Sequence, residues 1–318
     1  MNTKRKSIFE KNRKKTIAII ILIFVFLSIA LLEFLLQVFM GLGHPVLYDS
    51  NPLYGYRPLP NREYSRFYGS KIKFNNLSLR AENDWNDKTE NKILFLGDSV
   101  TYGGSYISNK ELFSCLAAKD LGDYESGNAG VNGWGIENIY GLVVETGFLP
   151  ADIYVTTVPE DDFYRGITKL QGLPFFNNSP KFALAELWLF FCCNQNNKRY
   201  KPWQSFATEK QIDYVAERAV KKLKELDVFI REKGFRHLIF ITPSRDYVLK
   251  DNPKPLSIQK LLAKYSLKPV YISDELQKYT LSRDEMKSLY HDRGHLTSEG
   301  HQTWAKIIRD ELTKLIDD

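Results

Sequence analysis

A run of four apolar residues, Ile93 to Leu96, lies between Lys92 and Gly97 and constrains the fold more than any other stretch. A run of that length bounded by turn residues is typical of a strand buried on both faces, as in a parallel sheet. Gly97 ends the strand, and Ser99 follows two residues later. Ligands of open α/β sheets bind outside the carboxyl ends of the strands. The sequence therefore predicts that Ser99 is displayed at a ligand-binding edge.

Strand-like and helix-like segments alternate along the rest of the chain. Helices are predicted at 110–120, 135–146, 209–233 and 297–316, and further strands at 124–126, 153–158, 237–242 and 270–272. Strands that alternate with helices form a parallel sheet with helices on both faces. The predicted fold class is therefore α/β.

Residues 182–193 form a second apolar run, with a single acidic residue, Glu186. The run is too short to span a membrane as a helix. We interpret it as a buried helix, and the alternative is a lid or an element that touches the membrane.

The net charge of the chain is concentrated at its N-terminus. Residues 1–15 contain seven Lys or Arg and one Glu, so they carry the whole net charge of +6. The remaining chain is balanced and offers no net basic charge for nucleic-acid binding. No nucleic-acid partner is therefore predicted.

The basic tail is followed by a long apolar segment. Ile17 to Leu32 contains no charge, and residues 16–42 would form a helix of roughly 40 Å, enough to cross a bilayer. The alternative is a cleaved signal peptide, but the run is long and no Ala-x-Ala-like site follows it. We predict an uncleaved signal anchor that partners the lipid bilayer. The positive-inside rule leaves the tail in the cytoplasm and places the rest outside it, in the periplasm or at the cell surface.

Four regions follow from these patterns. Residues 1–15 are a cytoplasmic tail and 16–42 a transmembrane anchor of the cell membrane. Residues 43–90 are rich in Tyr, Pro and Asn and are predicted to approach the main domain through short strands near 65–67 and 71–74. Residues 91–318 form the α/β domain, which is long enough to bury one large core.

The C-terminal region contains the groups that would activate a serine. A serine hydroxyl needs a base to become a nucleophile, and the base is best a histidine held in one tautomer by a carboxylate. Asp292 and His295, three residues apart in one loop, supply both groups. A tetrahedral intermediate also needs hydrogen-bond donors. The backbone N–H groups of Ser99 and Gly130 are candidates if their two turns lie side by side.

Three motifs together resemble those of the SGNH hydrolases, the GDSL esterase and lipase superfamily. They are Gly-Asp-Ser-x-Thr-x-Gly at 97–103, Asn-x-Gly at 128–130 and Asp-x-x-His-Leu-Thr-x-x-Gly-His at 292–301. The resemblance covers roughly residues 90–316. The basic N-terminus, the single span and the segment Asn76 to Arg80 are similar to the membrane-anchored bacterial branch.

The resemblance implies a three-layer α/β/α sandwich, a flavodoxin-like architecture, with Ser99, His295 and Asp292 as a catalytic triad. It also implies that Gly130 is the second oxyanion donor. Members of the superfamily cleave esters of small acyl groups, lipids or acylated sugars, and some transfer acetyl groups to polysaccharide. No cofactor is implied.

The chain departs from the superfamily at Asp161, which stands where an Asn side chain would donate to the oxyanion. An ionised carboxylate cannot donate, and losing one such donor costs about 2.7–4 kcal/mol of barrier. Three explanations stay open. Asp161 is protonated in a dry site, or another donor such as Asn128 or Asn132 replaces it, or the protein is weakly active or inactive.

A metal site is the alternative interpretation of His291, Asp292, His295 and His301, since histidine and carboxylate bind metals. The surrounding sequence fits the hydrolase loop better, and no metal is predicted.

The sequence favours a membrane-anchored extracytoplasmic serine esterase that removes O-acyl groups, with acetyl first, from a cell-surface glycan or a related ester. One alternative is an O-acetyltransferase that uses the same acyl-enzyme. The other is an inactive glycan-binding or assembly subunit. The expected partners are an acylated glycan or another ester substrate and, as a further candidate, envelope polysaccharide machinery.

Overall fold

The structure is a computed structural model that describes residues 12–86, 91–167, 176–197, 211–250 and 256–317. Most of the predicted basic tail and the first two residues of the predicted helix 209–233 lie outside these ranges.

The N-terminal apolar segment forms helix α1 (Arg13–Met40). It ends at Gly41, whose positive φ of 63° lets its N–H bond back to the Gln37 carbonyl. Most of its apolar side chains are exposed. The helix is long and apolar enough to cross a membrane by length and composition. The expected helix is therefore present, and its crossing of a membrane and its topology stay predictions.

Two antiparallel hairpins follow the helix. Strands β1 (Tyr48–Asn51) and β2 (Gly55–Pro58) pair with each other, as do β3 (Arg62–Ser65) and β4 (Lys71–Phe74). The strand predicted near 65–67 therefore lies earlier, and Phe67–Gly69 is a 3₁₀ turn. Its Tyr68 and Gly69 have positive φ, which reverses the chain and excludes an extended strand there.

The remaining elements form the main domain. In chain order they are β5 (Lys92–Gly97), α2 (Ser99–Tyr102), α3 (Phe113–Ala118), β6 (Glu125–Asn128), α4 (Ile136–Tyr140), β7 (Ile153–Pro159), α5 (Ala183–Asn197), α6 (Ile212–Glu232), β8 (Arg236–Thr242), α7 (Arg245–Val248), α8 (Gln259–Lys264), β9 (Val270–Tyr271), α9 (Ile272–Gln277), α10 (Arg283–Ser288) and α11 (Ser298–Asp317).

Within the described residues, five strands form one sheet in the order β6-β5-β7-β8-β9, and every neighbouring pair is parallel. The chain leaves β5 toward β6 on one side and later returns to β7 on the other. This reversal of strand order makes the carboxyl end of β5 a topological switch point, where ligands of such sheets bind.

Helices cover both faces of the sheet, and alternate residues of β5 show this directly. Leu94 and Leu96 pack in the core that contains the buried residues of α4 and α6. Ile93 and Phe95 pack in the core that contains those of α3 and α11. The predicted α/β/α class with a central parallel sheet is confirmed.

Two predicted helices are shorter than expected. In place of 110–120, a 3₁₀ turn at Asn109–Glu111 precedes α3, because Leu112 between them is extended. In place of 135–146, α4 continues as a π turn at Gly141–Glu145. A Cβ at Gly141 would collide with the Leu53 carbonyl, so this turn packs directly on another backbone segment.

The apolar run at 182–193 is helical, as expected, but it is not buried throughout. Leu187, Trp188 and Phe191 are 42%, 64% and 57% exposed, whereas Glu186 is fully buried. Glu186 is buried because it pairs with Arg66, so the polar residue marks the inner side of α5. The prediction of a buried helix is therefore wrong for the outward side.

Candidate active site

Ser99 lies immediately after the central strand β5 at the switch point. A Cβ at Gly97 would collide with the Thr157 carbonyl of β7 and with the Thr101 side chain, so only glycine fits there. Asp98 caps the short helix α2, and its Oδ1 accepts a hydrogen bond from the Val100 N–H at 2.9 Å. The tight turn and the cap fix the position of the Ser99 side chain.

The loop between α10 and α11 is shaped by the side chain of Asp292. Its Oδ1 accepts hydrogen bonds from the Gly294 and His295 N–H groups, both at 2.8 Å. The His291 N–H donates to the His295 carbonyl at 2.8 Å and closes the loop. Asp292 therefore holds both the backbone and the ring of His295.

Three predicted catalytic side chains form one hydrogen-bonded chain. His295 Nδ1 lies 2.7 Å from Asp292 Oδ2, and His295 Nε2 lies 2.9 Å from Ser99 Oγ. With the proton on Nδ1 donated to Asp292, Nε2 is free to accept the Ser99 proton. The arrangement is suited to activate Ser99 as a nucleophile.

The electrostatics of Asp292 suit this role. Partial burial acts to raise its pKa, but hydrogen bonds from the His295 N–H, the His295 ring and the Gly294 N–H outweigh burial, and the pKa is lowered. The carboxylate is thus kept ionised beside the imidazole. Asp292 is 51% exposed and His295 is 33% exposed, so water reaches this end of the site.

Gly130 lies beside α2, as the sequence led us to expect, but its N–H is already used. It donates to Asn128 Oδ1 at 2.8 Å. The Gly130 N–H is unavailable to an oxyanion while this bond holds, so the expected second oxyanion donor is not supported.

Asn128 is also committed to the fold. Its Nδ2 donates to the Thr101 carbonyl at 2.6 Å and to Ser114 Oγ at 3.1 Å, and the residue is buried. It is therefore not the replacement donor. Asn132 remains a candidate for the replacement donor. The residue is half-buried, and its backbone carbonyl accepts a hydrogen bond from the Tyr56 hydroxyl.

Asp161 follows β7 in a 3₁₀ segment, Glu160–Tyr164, and lines the same cleft as Ser99. Asp161 is exposed. The dry surroundings that a protonated Asp161 would require are therefore lacking, and this explanation is not supported.

Arg165, which lies outside the three sequence motifs, also lines the cleft. Its Nη1 lies 2.8 Å from Asp162 Oδ1 and 3.8 Å from Asp98 Oδ2, and it donates to the Trp134 carbonyl at 2.8 Å. The three-residue spacing between Asp162 and Arg165 in the sequence could have indicated this ion pair.

The two carboxyl groups around Arg165 are buried. Burial raises the pKa of Asp162, and the nearby Asp98 charge raises it further. Burial also raises the pKa of Asp98, against the opposing effect of Arg165. Asp98 Oδ2 lies 3.5 Å from Ser99 Oγ, so Arg165 balances a negative charge next to the nucleophile.

The cleft in front of Ser99 has a volume of about 690 Å³, within the range of small-molecule sites. Most of the residues that line it carry polar or charged side chains, although Val100, Pro159 and Leu256 also contribute. The polar and charged residues include Asp161, Arg165, Tyr247, Lys250 and Arg293.

The histidines of the alternative metal site have other partners. His301 is fully buried, and its Nδ1 accepts a hydrogen bond from the Phe113 N–H at 3.1 Å. Burial lowers its pKa to about 3. His291 stacks on Tyr106 with ring centroids 4.3 Å apart. Among the described residues, no group of three or more His, Cys, Asp or Glu is arranged to hold a metal ion.

No family model and no curated protein matches the chain. Solved structures with a similar fold include the acetyl xylan esterase AlAXEase, at 18% identity over 69% of this chain and 98% of that chain, with a TM-score of 0.42. A lipase/acylhydrolase from Enterococcus faecalis is 16% identical over 70% and 94%, with a TM-score of 0.40. Axe2, an acetylxylan esterase from Geobacillus stearothermophilus, is 14% identical over 70% and 94%, with a TM-score of 0.37.

At these identities the roles of individual residues rest on the geometry of this chain. The solved structures to which it is similar also include a member of the lipolytic protein G-D-S-L family from Veillonella parvula, at 9% identity over 70% of this chain and 96% of that chain, with a TM-score of 0.37. Esterases and lipolytic G-D-S-L proteins are thus what this chain is similar to, the same group that its sequence motifs resemble.

Proposed function

We propose that this protein is a membrane-anchored serine esterase that removes O-acyl groups, acetyl first, from a cell-surface glycan. The observation that carries the proposal is the hydrogen-bonded chain Ser99–His295–Asp292 at the switch point of the sheet. A resting nucleophile, base and orienting carboxylate in hydrogen-bond contact are the arrangement that acyl transfer requires.

The proposed reaction has two halves. Ser99 Oγ attacks the acyl carbonyl while His295 Nε2 takes its proton, and Asp292 stabilises the resulting imidazolium. The tetrahedral intermediate collapses, the sugar oxygen leaves with the proton from His295, and an acyl-Ser99 ester remains. Water then attacks this ester with His295 as base, releasing the carboxylic acid and restoring Ser99.

The glycan substrate is inferred from the polar cleft and from the anchor. A cleft lined by charged and hydroxyl side chains favours a hydrophilic alcohol over a lipid. An anchor with a cytoplasmic basic tail would place the cleft among the polymers outside the cell. Acetylated xylan, the substrate class named for AlAXEase and Axe2, belongs to the same chemical class, O-acetylated polysaccharide.

Hydrolysis is favoured over O-acetyl transfer by the exposure of the triad. Transfer needs a sugar hydroxyl to compete with water for the acyl-enzyme, which requires that water be excluded. Here His295 and Asp292 are open to solvent. Water is therefore the expected acceptor.

An inactive glycan-binding or assembly subunit is the second candidate. It is favoured by the exposed Asp161 in the cleft and by the occupied Gly130 N–H, which together leave the oxyanion with fewer donors. A weak oxyanion hole costs roughly 10²–10³ in rate for each missing donor.

A fluorophosphonate probe separates enzyme from binder. The full-length protein in detergent is incubated with the probe beside Ser99→Ala and Ser105→Ala, a nearby serine outside the triad. We expect labelling of the wild type and of Ser105→Ala, and none of Ser99→Ala. An unlabelled wild type, under conditions where a known serine esterase reacts, would contradict the proposal. Acetate release from an acetylated glycan, measured with and without an acceptor sugar, then distinguishes hydrolysis from transfer.

A further inference from the structure

The exposed apolar side of α5 is the feature that the proposed reaction does not use. Leu187, Trp188 and Phe191 lie within about one turn of the helix, and all three are exposed. The rings of Trp188 and Phe191 stack with centroids 6.1 Å apart. We call these three residues the outer face of α5. A contiguous exposed apolar face of this kind marks an interaction surface.

The start of α5 is bound to the apolar anchor helix. Glu33 of α1 accepts hydrogen bonds from the Ala183 N–H at 2.6 Å and the Leu184 N–H at 2.9 Å. These N–H groups belong to the first turn of α5, which has no carbonyl partners of its own for them. The carboxylate of α1 therefore caps α5.

The position of Glu33 along α1 sets the level at which α5 begins. Glu33 lies about 24 Å along the helix from Ile17, the first residue of the uncharged run, at about 1.5 Å per residue. The hydrocarbon core of a bilayer is about 30 Å thick. Glu33 therefore lies close to the boundary between the acyl chains and the headgroups on the far side.

The inner side of α5 is locked to the segment that leaves the anchor. Glu186 Oε1 lies 2.6 Å from Arg66 Nη2, and both residues are buried. Glu186 Oε2 accepts a hydrogen bond from the Gly43 N–H at 2.5 Å. Ala183 packs with Leu36 and Leu42 in a small buried cluster at the same place. These contacts fix how α5 is rotated, so that its outer face points away from the protein.

We propose that α5 lies in the bilayer interface beside the end of α1, with its outer face among the lipid chains. The proposal rests on the anchoring included in the proposed function. The Glu33 cap holds the start of α5 beside α1, whose apolar side chains are also exposed. Tryptophan is enriched at the level where acyl chains meet headgroups, which suits Trp188. A second chain or another protein on this face is the competing outcome, and the test separates it.

The test uses full-length protein in phosphatidylcholine–phosphatidylglycerol vesicles whose lipids carry bromine, which quenches tryptophan, either near the headgroup or near the chain ends. Trp85, Trp134 and Trp304 are buried in the domain. The fluorescence of Trp188 is obtained as the difference between the wild type and Trp188→Phe, a variant that keeps an aromatic ring on the outer face. The matched control is Val228→Trp in the Trp188→Phe background, since Val228 is an exposed apolar residue of α6.

We expect the Trp188 signal to be quenched at least twofold more by shallow than by deep bromine, and to be protected from acrylamide in the water. The signal added by Val228→Trp in the control should show the opposite behaviour, with quenching by acrylamide and none by bromine. Trp188 that is quenched by acrylamide and not by bromine would overturn the proposal. Protection of Trp188 from both quenchers, in vesicles that each contain many copies of the protein, would also overturn the proposal. It would indicate that another protein chain covers the outer face.

Failure of the anchor itself is distinguished by flotation of the same vesicles after an alkaline carbonate wash. Protein that remains with the vesicles while Trp188 is unquenched contradicts the placement of α5 alone. Protein that is washed off contradicts the anchoring and the placement together.

Discussion

Arg165 Nη1 lies 2.8 Å from Asp162 Oδ1, in an ion pair that is almost wholly buried beside the nucleophile's turn. Asp98, the residue before Ser99, lies 3.8 Å from the same nitrogen. Two buried carboxyl groups therefore depend on one guanidinium. Because an unpaired buried charge is expensive, this cluster ties the stability of the domain to the integrity of its candidate site.

We expect Arg165→Gln to lower the free energy of unfolding by about 3–5 kcal/mol near neutral pH, because it leaves two buried carboxylates without their cation. Arg165→Lys keeps the charge and should lose less. Thermal unfolding of the full-length protein in detergent measures both variants. Equal stability of Arg165→Gln and the wild type would show that the pair carries no net stabilisation.

The loss of stability in Arg165→Gln should depend on pH in a predictable direction. The pKa of Asp98 and of Asp162 is raised in the folded state, so the folded protein holds these protons more tightly than the unfolded chain does. The stability contributed by such groups is present at low pH and is lost as the pH rises through the folded pKa. Removing Arg165 raises both pKa values further. The stability deficit of Arg165→Gln should therefore shrink as the pH is lowered from about 7 toward about 5.

Asp292 has two separable roles, and substitution can divide them. Asp292→Asn retains an oxygen that can accept the Gly294 and His295 N–H bonds but removes the charge that stabilises imidazolium. We expect it to lower kcat by roughly 10²–10⁴ with little change in thermal stability. Asp292→Ala should lose the loop bonds as well and unfold at a lower temperature. If Asp292→Asn left kcat unchanged, the orienting role would be wrong.

The carboxylate of Asp161 is expected to oppose catalysis. Asp161→Asn removes a negative charge from the cleft and offers an amide donor, so ester hydrolysis should be kept or raised, by up to about 10² if the amide reaches the oxyanion. The control is Asp246→Asn, which removes a different cleft carboxylate, one that pairs with Arg293 at 3.4 Å. A large loss of kcat in Asp161→Asn alone would assign the carboxylate a role of its own.

Substitution of Gly130 tests how closely its turn packs against α2. A Cβ at this position would collide with the Tyr102 N–H and the Thr101 backbone. Gly130→Ala should therefore destabilise the domain by about 1–3 kcal/mol and lower activity as the Ser99 turn shifts. Gly294→Ala serves as the comparison for an open turn, since nothing lies near its Cβ position. Activity that falls in Gly130→Ala without any change in stability would point to a direct catalytic role instead.

The strands of the sheet could be predicted because each signal was local. Runs such as Ile93–Leu96 and His237–Thr242 are apolar enough to be buried on both faces, and the structure places both in one parallel sheet, with β7 between them. The pairing of Asp292 with His295 could also be predicted, because both residues lie in one short segment. Each of these features depends on residues close together in sequence.

The errors arose where burial depends on distant partners. Glu186 is buried because Arg66, 120 residues earlier, and the Gly43 N–H bind its carboxylate, and no periodicity in 182–193 indicates this. The occupation of the Gly130 N–H is different, since Asn side chains commonly bond their own backbone two residues on. The spacing from Asn128 to Gly130 indicates that bond, whereas the motif resemblance assigns the same N–H to the oxyanion.

The contacts around Glu186 also determine how far the site can reach. Hydrogen bonds connect α5 to three other parts of the chain: to α1 through Glu33, to the hairpin region through Arg66, and to the segment after α1 through Gly43. The domain is therefore attached to α1 by fixed contacts and not by a flexible linker. If α1 spans a membrane as proposed, the cleft is held at one height and one tilt above the bilayer. Such an enzyme would meet only the polymer segments that pass through that layer, and the layer would be selected by the mounting of the domain as much as by the chemistry of the cleft.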